Sequence, residues 1–326
     1  GALRKGEAMR VVGGLVALVL VLGLVVSLPV GLAVPAAGDE FVGRWDINIP
    51  MRDGRTRACW LEVTRDGEKL KARFLAGSAS PFELKKFSLE EGELRWEHLS
   101  GRPPDQFTTA YRARVKDGQL EGTVTPGNQA PISWTGVRAP VWPDKFPKKK
   151  PGRPIALFNG KDLSGWLPQV PSRPLRWTVK DGAMANDPPA NNIYSERKFQ
   201  DFKLEVEFNV SAHGNSGIYL RGRHEIQVLD DFGRQPDEHS HGAIYGFIAP
   251  RVNAGRQAGE WQTLEATLIG NRVTVVLNGV KIHDNVAIPA ITGGALDANE
   301  AQPGPIMLQG DHEGIMYRKV VVTPLE

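Results

Sequence analysis

Three runs of the sequence carry side chains able to move protons or hold hydroxyl groups. In Gly217–Arg221, Tyr219 and Arg221 alternate with Ile218 and Leu220. In His224–Leu229, Glu225 and Gln227 alternate with Ile226 and Val228. In Ile306–Gln309, Met307 and Gln309 alternate with Ile306 and Leu308. Successive strand side chains point to opposite faces. Each run therefore offers an aliphatic side for a core and an opposite side of Tyr, Arg, Glu, Gln and Met. If the three strands are neighbours, one sheet presents an aromatic and polar surface. Such a surface suits a polyhydroxylated ligand, which stacks on rings and accepts planar hydrogen-bonding groups. An ordinary solvated outer face is the plainer alternative.

The connections between these runs add acids and imidazoles. Asp230-Asp231 closes the Glu225 run, the stretch Asp237-Glu238-His239-Ser240-His241 follows, and Gln309-Gly310-Asp311-His312 ends a later strand. Functional residues are commonly carried on loops held by a rigid scaffold. Asp230, His239 and His241 could chelate a divalent cation, although two His at i, i+2 are a weak signal by themselves.

The elements that must position these residues are strands. The chain has 326 residues, 41% hydrophobic and 24% charged, with 36 Gly and 24 Pro. That is the composition of a folded protein rich in turns, and the length allows about two domains. A net charge of +3 lacks the concentrated basic face of a nucleic-acid binder. The single cysteine, Cys59, excludes an intramolecular disulfide and cysteine zinc clusters. Short alternating runs separated by turns such as Asp53-Gly54, Asp66-Gly67 and Asp117-Gly118 fill residues 39–139. They predict a small antiparallel β barrel or sandwich, read as an accessory module. Residues 140–153 hold a Pro-rich stretch with Lys148-Lys149-Lys150, which predicts a semi-rigid, solvated spacer. Residues 154–326 repeat the strand pattern, with hairpin signals at Gly270-Asn271 and Asn278-Gly279. The fold class expected is all-β, with a jelly-roll sandwich as the second domain. At the other end, Arg4, Lys5 and Arg10 precede an apolar run and then Ala36-Ala37-Gly38. That order predicts a signal peptide over residues 1–38 and an exported protein. A membrane anchor through residues 11–34 is the alternative.

Several ordered motifs of the second domain carry a resemblance. They are Leu157-Phe158-Asn159-Gly160-Lys161-Asp162-Leu163-Ser164-Gly165-Trp166, then Gly214-Asn215-Ser216-Gly217-Ile218-Tyr219-Leu220-Arg221-Gly222 running into Glu225-Ile226-Gln227-Val228-Leu229-Asp230. Gly242-Ala243-Ile244-Tyr245-Gly246, Gly259-Glu260-Trp261-Gln262 and Gln309-Gly310-Asp311-His312 follow. This domain resembles the 3-keto-disaccharide hydrolase family of secreted bacterial proteins. The family pattern often has Gln-Asp-His where this chain inserts Gly310. The resemblance implies a concanavalin-like jelly roll acting on 3-keto-glycosides, with a separate oxidoreductase supplying the keto group.

A ketone at C3 acidifies the hydrogen on C2, so a base can remove it and the C1 substituent can leave by elimination. Such a site needs a base near C2, electrophilic help at the ketone and an acid at the leaving group; a divalent cation is a possible electrophile. On this basis Glu225 is the leading base or metal ligand, with His312, Arg221 and Tyr245 as further catalytic candidates. Tyr219, Gln227, Gln309, Asn215 and Asp311 are the candidates for holding a 3-keto-glucoside. Two rival readings are a non-catalytic lectin-like module and an ordinary two-carboxylate glycoside hydrolase. For the second, Gln227 stands where a middle carboxylate is needed.

Overall fold

The computed structural model describes residues 36–326. The expected signal or anchor over residues 1–38, and the export it implies, fall almost wholly outside the described residues.

The first sheet contains β1 (Gly43–Pro50), β2 (Thr56–Asp66), β3 (Lys69–Leu75), β4 (Phe82–Glu83) and β5 (Phe87–Glu90). It is completed by β6 (Glu93–Ser100), β7 (Phe107–Lys116), β8 (Gln119–Pro126) and β9 (Ile132–Arg138). The order is β4-β3-β2-β1-β9-β8-β7-β6-β5, so every pair is a sequence neighbour except β1 with β9. Tight turns make that meander possible. At Asp117-Gly118 both residues take positive φ, 49° and 78°, which matches the twist of the flanking strands. The sheet rolls onto one core. Phe74 of β3 lies 5.4 Å from Trp96 of β6 and 5.0 Å from Tyr111 of β7, across the interior. Cys59 is buried in this core.

Two packed sheets form the second part, the jelly-roll sandwich. Its early strands are β10 (Ile155–Ala156), β11 (Trp166–Pro168), β12 (Trp177–Lys180), β13 (Ala183–Asn186) and β14 (Ile193–Phe199). Next come β15 (Phe202–Val210), β16 (Asn215–Leu220), β17 (His224–Leu229) and β18 (Trp261–Ile269). The last are β19 (Arg272–Leu277), β20 (Val280–Ala287), β21 (Gly304–Leu308) and β22 (Ile315–Pro324). One sheet runs β12-β13-β22-β15-β18-β19-β20, with β10 on β22; the other runs β11-β14-β21-β16-β17. Alternation in β15 buries Phe202, Leu204, Val206 and Phe208, which meet Ile218, Ile226 and Leu308 of the facing sheet in one core.

The barrel is docked on the sandwich. On β1 and β2 both faces are buried. Trp45 and Ile47 point into the barrel core. Ala58 and Trp60 pack outward on Ala290, Ile291, Ala295 and Ala298. The Trp60 indole donates to the Ile291 carbonyl at 3.1 Å. Arg44 donates to Glu300 Oε2 at 2.6 Å and to the carbonyl of Pro289. Residues 140–153 also depart from a free solvated spacer. Lys150 exchanges backbone hydrogen bonds with Glu326, and Lys149 pairs with Asp201 at 3.4 Å. These contacts lay the segment along the sandwich.

Candidate active site

The register of the five-stranded sheet puts the polar residues of three strands side by side. Gly217 faces Gln227 across β16–β17, and Tyr219 faces Glu225. On the other side Tyr219 faces Met307, and the Gln309 amide donates to the Gly217 carbonyl at 2.9 Å. Ile218, Leu220, Ile226, Val228 and Leu308 form the opposite, core-facing side. The polar face expected from the alternation is therefore a single row, Gln309–Gly217–Gln227, with Tyr219 and Glu225 beside it.

Glycine at 217 has a steric cause. A Cβ there would overlap the Glu225 carboxyl, so the missing side chain makes the space in which that carboxyl sits. Glu225 is only 4% exposed. Its backbone N–H donates to Thr292 Oγ1 at 2.9 Å. Its Oε2 lies 2.9 Å from the Tyr219 hydroxyl, which lies 3.0 Å from the Gly293 carbonyl. A phenol has one proton and a carbonyl none. The Tyr219 hydroxyl therefore has one proton for two acceptors, Glu225 Oε2 and the Gly293 carbonyl. Burial pushes the Glu225 carboxyl up to about 8, against the opposing pull of the Tyr219 hydrogen bond and the His312 charge.

The two glutamines keep hydrogen-bonding capacity unspent. The side-chain carbonyl oxygens of Gln227 and Gln309 are buried with no hydrogen-bond partner. Buried polar groups are rarely left so, because an unmade bond costs roughly 1–3 kcal/mol. Both amides thus flank the recessed carboxyl with an acceptor oxygen left free.

The edge of β17 is closed by residues 242–248. Gly242 donates to the Gln227 carbonyl at 2.8 Å, Gln227 to the Ala243 carbonyl at 3.0 Å, and Tyr245 to the Glu225 carbonyl at 3.1 Å. This strand-like pairing holds Tyr245 half-buried next to Glu225; its hydroxyl is pushed up mainly by burial and next by the Glu225 charge. Across the row, His312 Nδ1 meets Asp311 Oδ1 at 2.8 Å. That partner holds the imidazolium above its ordinary value, with Glu225 adding to the effect. The inserted Gly310 belongs to the packing, since the Trp177 ring and the Asn191 carbonyl both stand 2.8 Å from where its Cβ would be. Asn215 begins β16 on the same face as Gly217.

Several expected roles are corrected. Arg221 is 0% exposed and is not on the polar face. Strand β16 ends at Leu220, and positive φ at Arg221 and Gly222 swings the guanidinium away to the Gln200 carbonyl at 2.6 Å and Asp201 Oδ1 at 3.1 Å. Tyr219 is buried beneath Glu225 and offers no ring face for stacking. Asp230, His239 and His241 do not assemble as a ligand set. Asp230 Oδ2 accepts from the His213 amide at 2.8 Å. His241 Nδ1 accepts from the Leu229 amide, and its Nε2 meets Gln262 Oε1, both at 3.2 Å. Burial keeps that imidazole below its ordinary pKa. His239 Nε2 meets Ser80 Oγ of the barrel at 2.6 Å. Among the described residues no three His, Cys, Asp or Glu side chains are grouped to hold a metal ion.

Sequence reasoning missed the contributions of Gly217, Thr292 and the barrel. The loop 76–81 reaches the site's edge: the Gly77 carbonyl accepts from Gly294 at 2.9 Å, and a Cβ at Gly246 would stand 2.9 Å from Ser80 Oγ. Thr292 and the barrel carry no local signal, because their partners lie far away in the chain; Gly217 answers to Glu225 in the adjoining strand.

Among known proteins, a curated 3-keto-disaccharide hydrolase of Bacteroides thetaiotaomicron is 36% identical, with 37% of this chain and 54% of that protein aligned. The chain thus spans about half the length of that relative. Two solved structures of candidate glycosyl hydrolases from Parabacteroides distasonis are also similar. The first is 28% identical and covers 57% of this chain and 94% of its own, with a TM-score of 0.45. The second is 19% identical and covers 53% and 94%, with a TM-score of 0.44. The model of the 3-keto-alpha-glucoside-1,2-lyase-like domain matches residues 153–323, which include every strand of the sheet that carries Glu225. With more than half of its length inside that match, the chain belongs to the 3-keto-alpha-glucoside-1,2-lyase-like family.

Proposed function

We propose that the protein cleaves 3-keto-glycosides, with Glu225 as the base that removes the C2 proton. The observation that carries this reading is the Glu225 carboxyl seated over Gly217 between two glutamines with unspent side-chain carbonyls. The sugar lies across the row. Gln227 and Gln309 take its hydroxyls on their carbonyl oxygens and donate N–H groups to the C3 oxygen and its neighbours.

Ionised Glu225 takes the hydrogen from C2, and the C2–H electrons form an enolate whose charge rests on the C3 oxygen. The enolate then collapses, a C1=C2 double bond forms, and the C1–O bond breaks with its electron pair going to the leaving oxygen. His312, steadied by Asp311, gives that oxygen a proton. Water can then add at C1 while C2 regains a proton, so the net reaction becomes hydrolysis. Tyr219 keeps the base in place and tunes its proton through Gly293. No step is assigned to a metal, since Asp230, His239 and His241 do not fit as its ligands. The keto group itself requires a prior oxidation of the sugar by another enzyme.

The test is to incubate the protein with 4-nitrophenyl 3-keto-glucoside and with its unoxidised parent, with and without EDTA. Release from the keto compound alone is expected. Release from neither compound alongside measurable sugar binding would overturn the reading in favour of a lectin-like module. Loss of release with EDTA would mean a cation held by groups other than Asp230, His239 and His241.

A further inference from the structure

A cavity of about 400 Å³ opens between the barrel and the sandwich, next to the acid end of the site. Arg55 lines it from the barrel, and Gln169, Arg173, Arg176, Asn192 and Asp311 line it from the sandwich. Asp311 places it relative to the chemistry, since its carboxylate is the partner of His312. A group whose departing oxygen is protonated by His312 leaves the sugar on this side.

The lining is built. The turn after β1 is closed by Met51 and Arg55, whose backbones bond at 2.8 Å, and Arg55 is steadied by Asp53 at 2.7 Å. Arg176 is steadied by Asp187 at 2.7 Å. Neither Asp53 nor Asp187 lines the cavity. Asn192 donates to Gln169 Oε1 at 2.9 Å and accepts from the Gly310 amide at 2.8 Å, which ties this wall to the Gln309–His312 segment. Three arginines thus line a space whose single lining carboxylate is already bonded to His312, and of the three only Arg173 has no carboxylate partner among the described residues. Guanidinium forks match planar carboxylates through paired hydrogen bonds.

We propose that this cavity is the leaving-group subsite and that it selects a leaving group bearing a carboxylate. The barrel is then part of the specificity apparatus through Arg55. The proposal rests on the reading of Glu225 and His312 given above.

The experiment uses the protein with two 3-keto-glucosides, one with a 4-carboxyphenyl and one with a 4-carbamoylphenyl leaving group. The ratio of their kcat/KM values is measured for the wild type, Arg173→Gln and Arg55→Gln. Intrinsic reactivity cancels when ratios are compared between proteins. The expected result is a ratio favouring the acid that falls about five- to tenfold in Arg173→Gln and less in Arg55→Gln. Thermal unfolding of each variant confirms that it is folded; if Arg173→Gln fails to fold, Arg173→Lys takes its place, keeping the charge but losing the fork. Equal ratios in all folded proteins would overturn the subsite while leaving the 3-keto chemistry intact. Cleavage of neither compound by the wild type would overturn both.

Discussion

Around Glu225 the polar groups hold back hydrogen-bonding capacity. Gln227 and Gln309 leave buried carbonyl oxygens unpaired, and a glycine clears space for the carboxyl. Around His241 the same residue types are engaged, apart from the buried Gln262 Nε2. Asp231 accepts from the His241 amide and from Asn253, Asp237 accepts from His239 and Ser240, and both His241 ring nitrogens have partners. The two clusters carry similar acids, amides and imidazoles. What separates them is whether the fold has already used their donors and acceptors. A loop that satisfies its own polar atoms is a scaffold; a face that leaves acceptors unpaired keeps them available to a ligand.

Four changes would break or sharpen that contrast. The largest effect is expected from Glu225→Gln, which keeps the shape and removes the base. Release from 4-nitrophenyl 3-keto-glucoside should fall by about a thousandfold, within the usual range for a lost general base. A native rate would remove Glu225 from the chemistry.

The next effect is on pH. Glu225 must be ionised to act, and its pKa is raised to about 8, so the active fraction grows as pH rises towards that value. Nitrophenolate leaves without a proton, so this substrate isolates the base. Its enzymatic rate should climb about fiftyfold from pH 6 to pH 8, after subtraction of the uncatalysed rate. A flat profile would contradict the buried, neutral resting state. With a poorer leaving group that needs protonated His312, the profile should turn down again at high pH.

Smaller still is the effect of the cradle. Gln227→Leu and Gln309→Leu should each lower kcat/KM about tenfold through lost hydroxyl contacts. Thermal unfolding should show that these variants stay folded, because their side-chain carbonyl oxygens bond to no protein group. A drop in stability without a change in kinetics would recast them as packing residues.

The smallest catalytic effect belongs to the other cluster. His241→Ala leaves the part-buried Leu229 amide without its acceptor. It should cost about 1–3 kcal/mol of stability by urea titration, while the rate per folded molecule on the nitrophenyl substrate stays within about twofold. A large kinetic loss in folded protein would mean that the loop reaches the substrate.

Much of the site was legible because strand alternation has a period of two. Glu225, Gln227, Tyr219, Met307 and Gln309 fall on one face as the runs imply. Arg221 shows where the rule stops. The alternation was carried one residue past the end of β16, and there positive φ redirects the chain. The hairpin of β12 and β13 was overlooked although Asp181-Gly182 marks its turn in the same manner as the turns that were read. His239 and His241 are weak ligand candidates from sequence, because i, i+2 spacing in a loop says nothing about side-chain direction. The docking of the barrel left no local trace. Trp60 reads as an ordinary strand residue until Ile291, 231 positions away, is seen to accept its N–H.

The central claim is that Glu225 breaks the C2–H bond. The most direct measurement compares release of nitrophenol from 4-nitrophenyl 3-keto-glucoside carrying hydrogen or deuterium at C2. Because this leaving group departs readily, proton removal limits the rate, and deuterium should slow release by the wild type. Equal rates for the two compounds would contradict rate-limiting removal of the C2 proton, and the account with it if Glu225→Gln also kept the native rate.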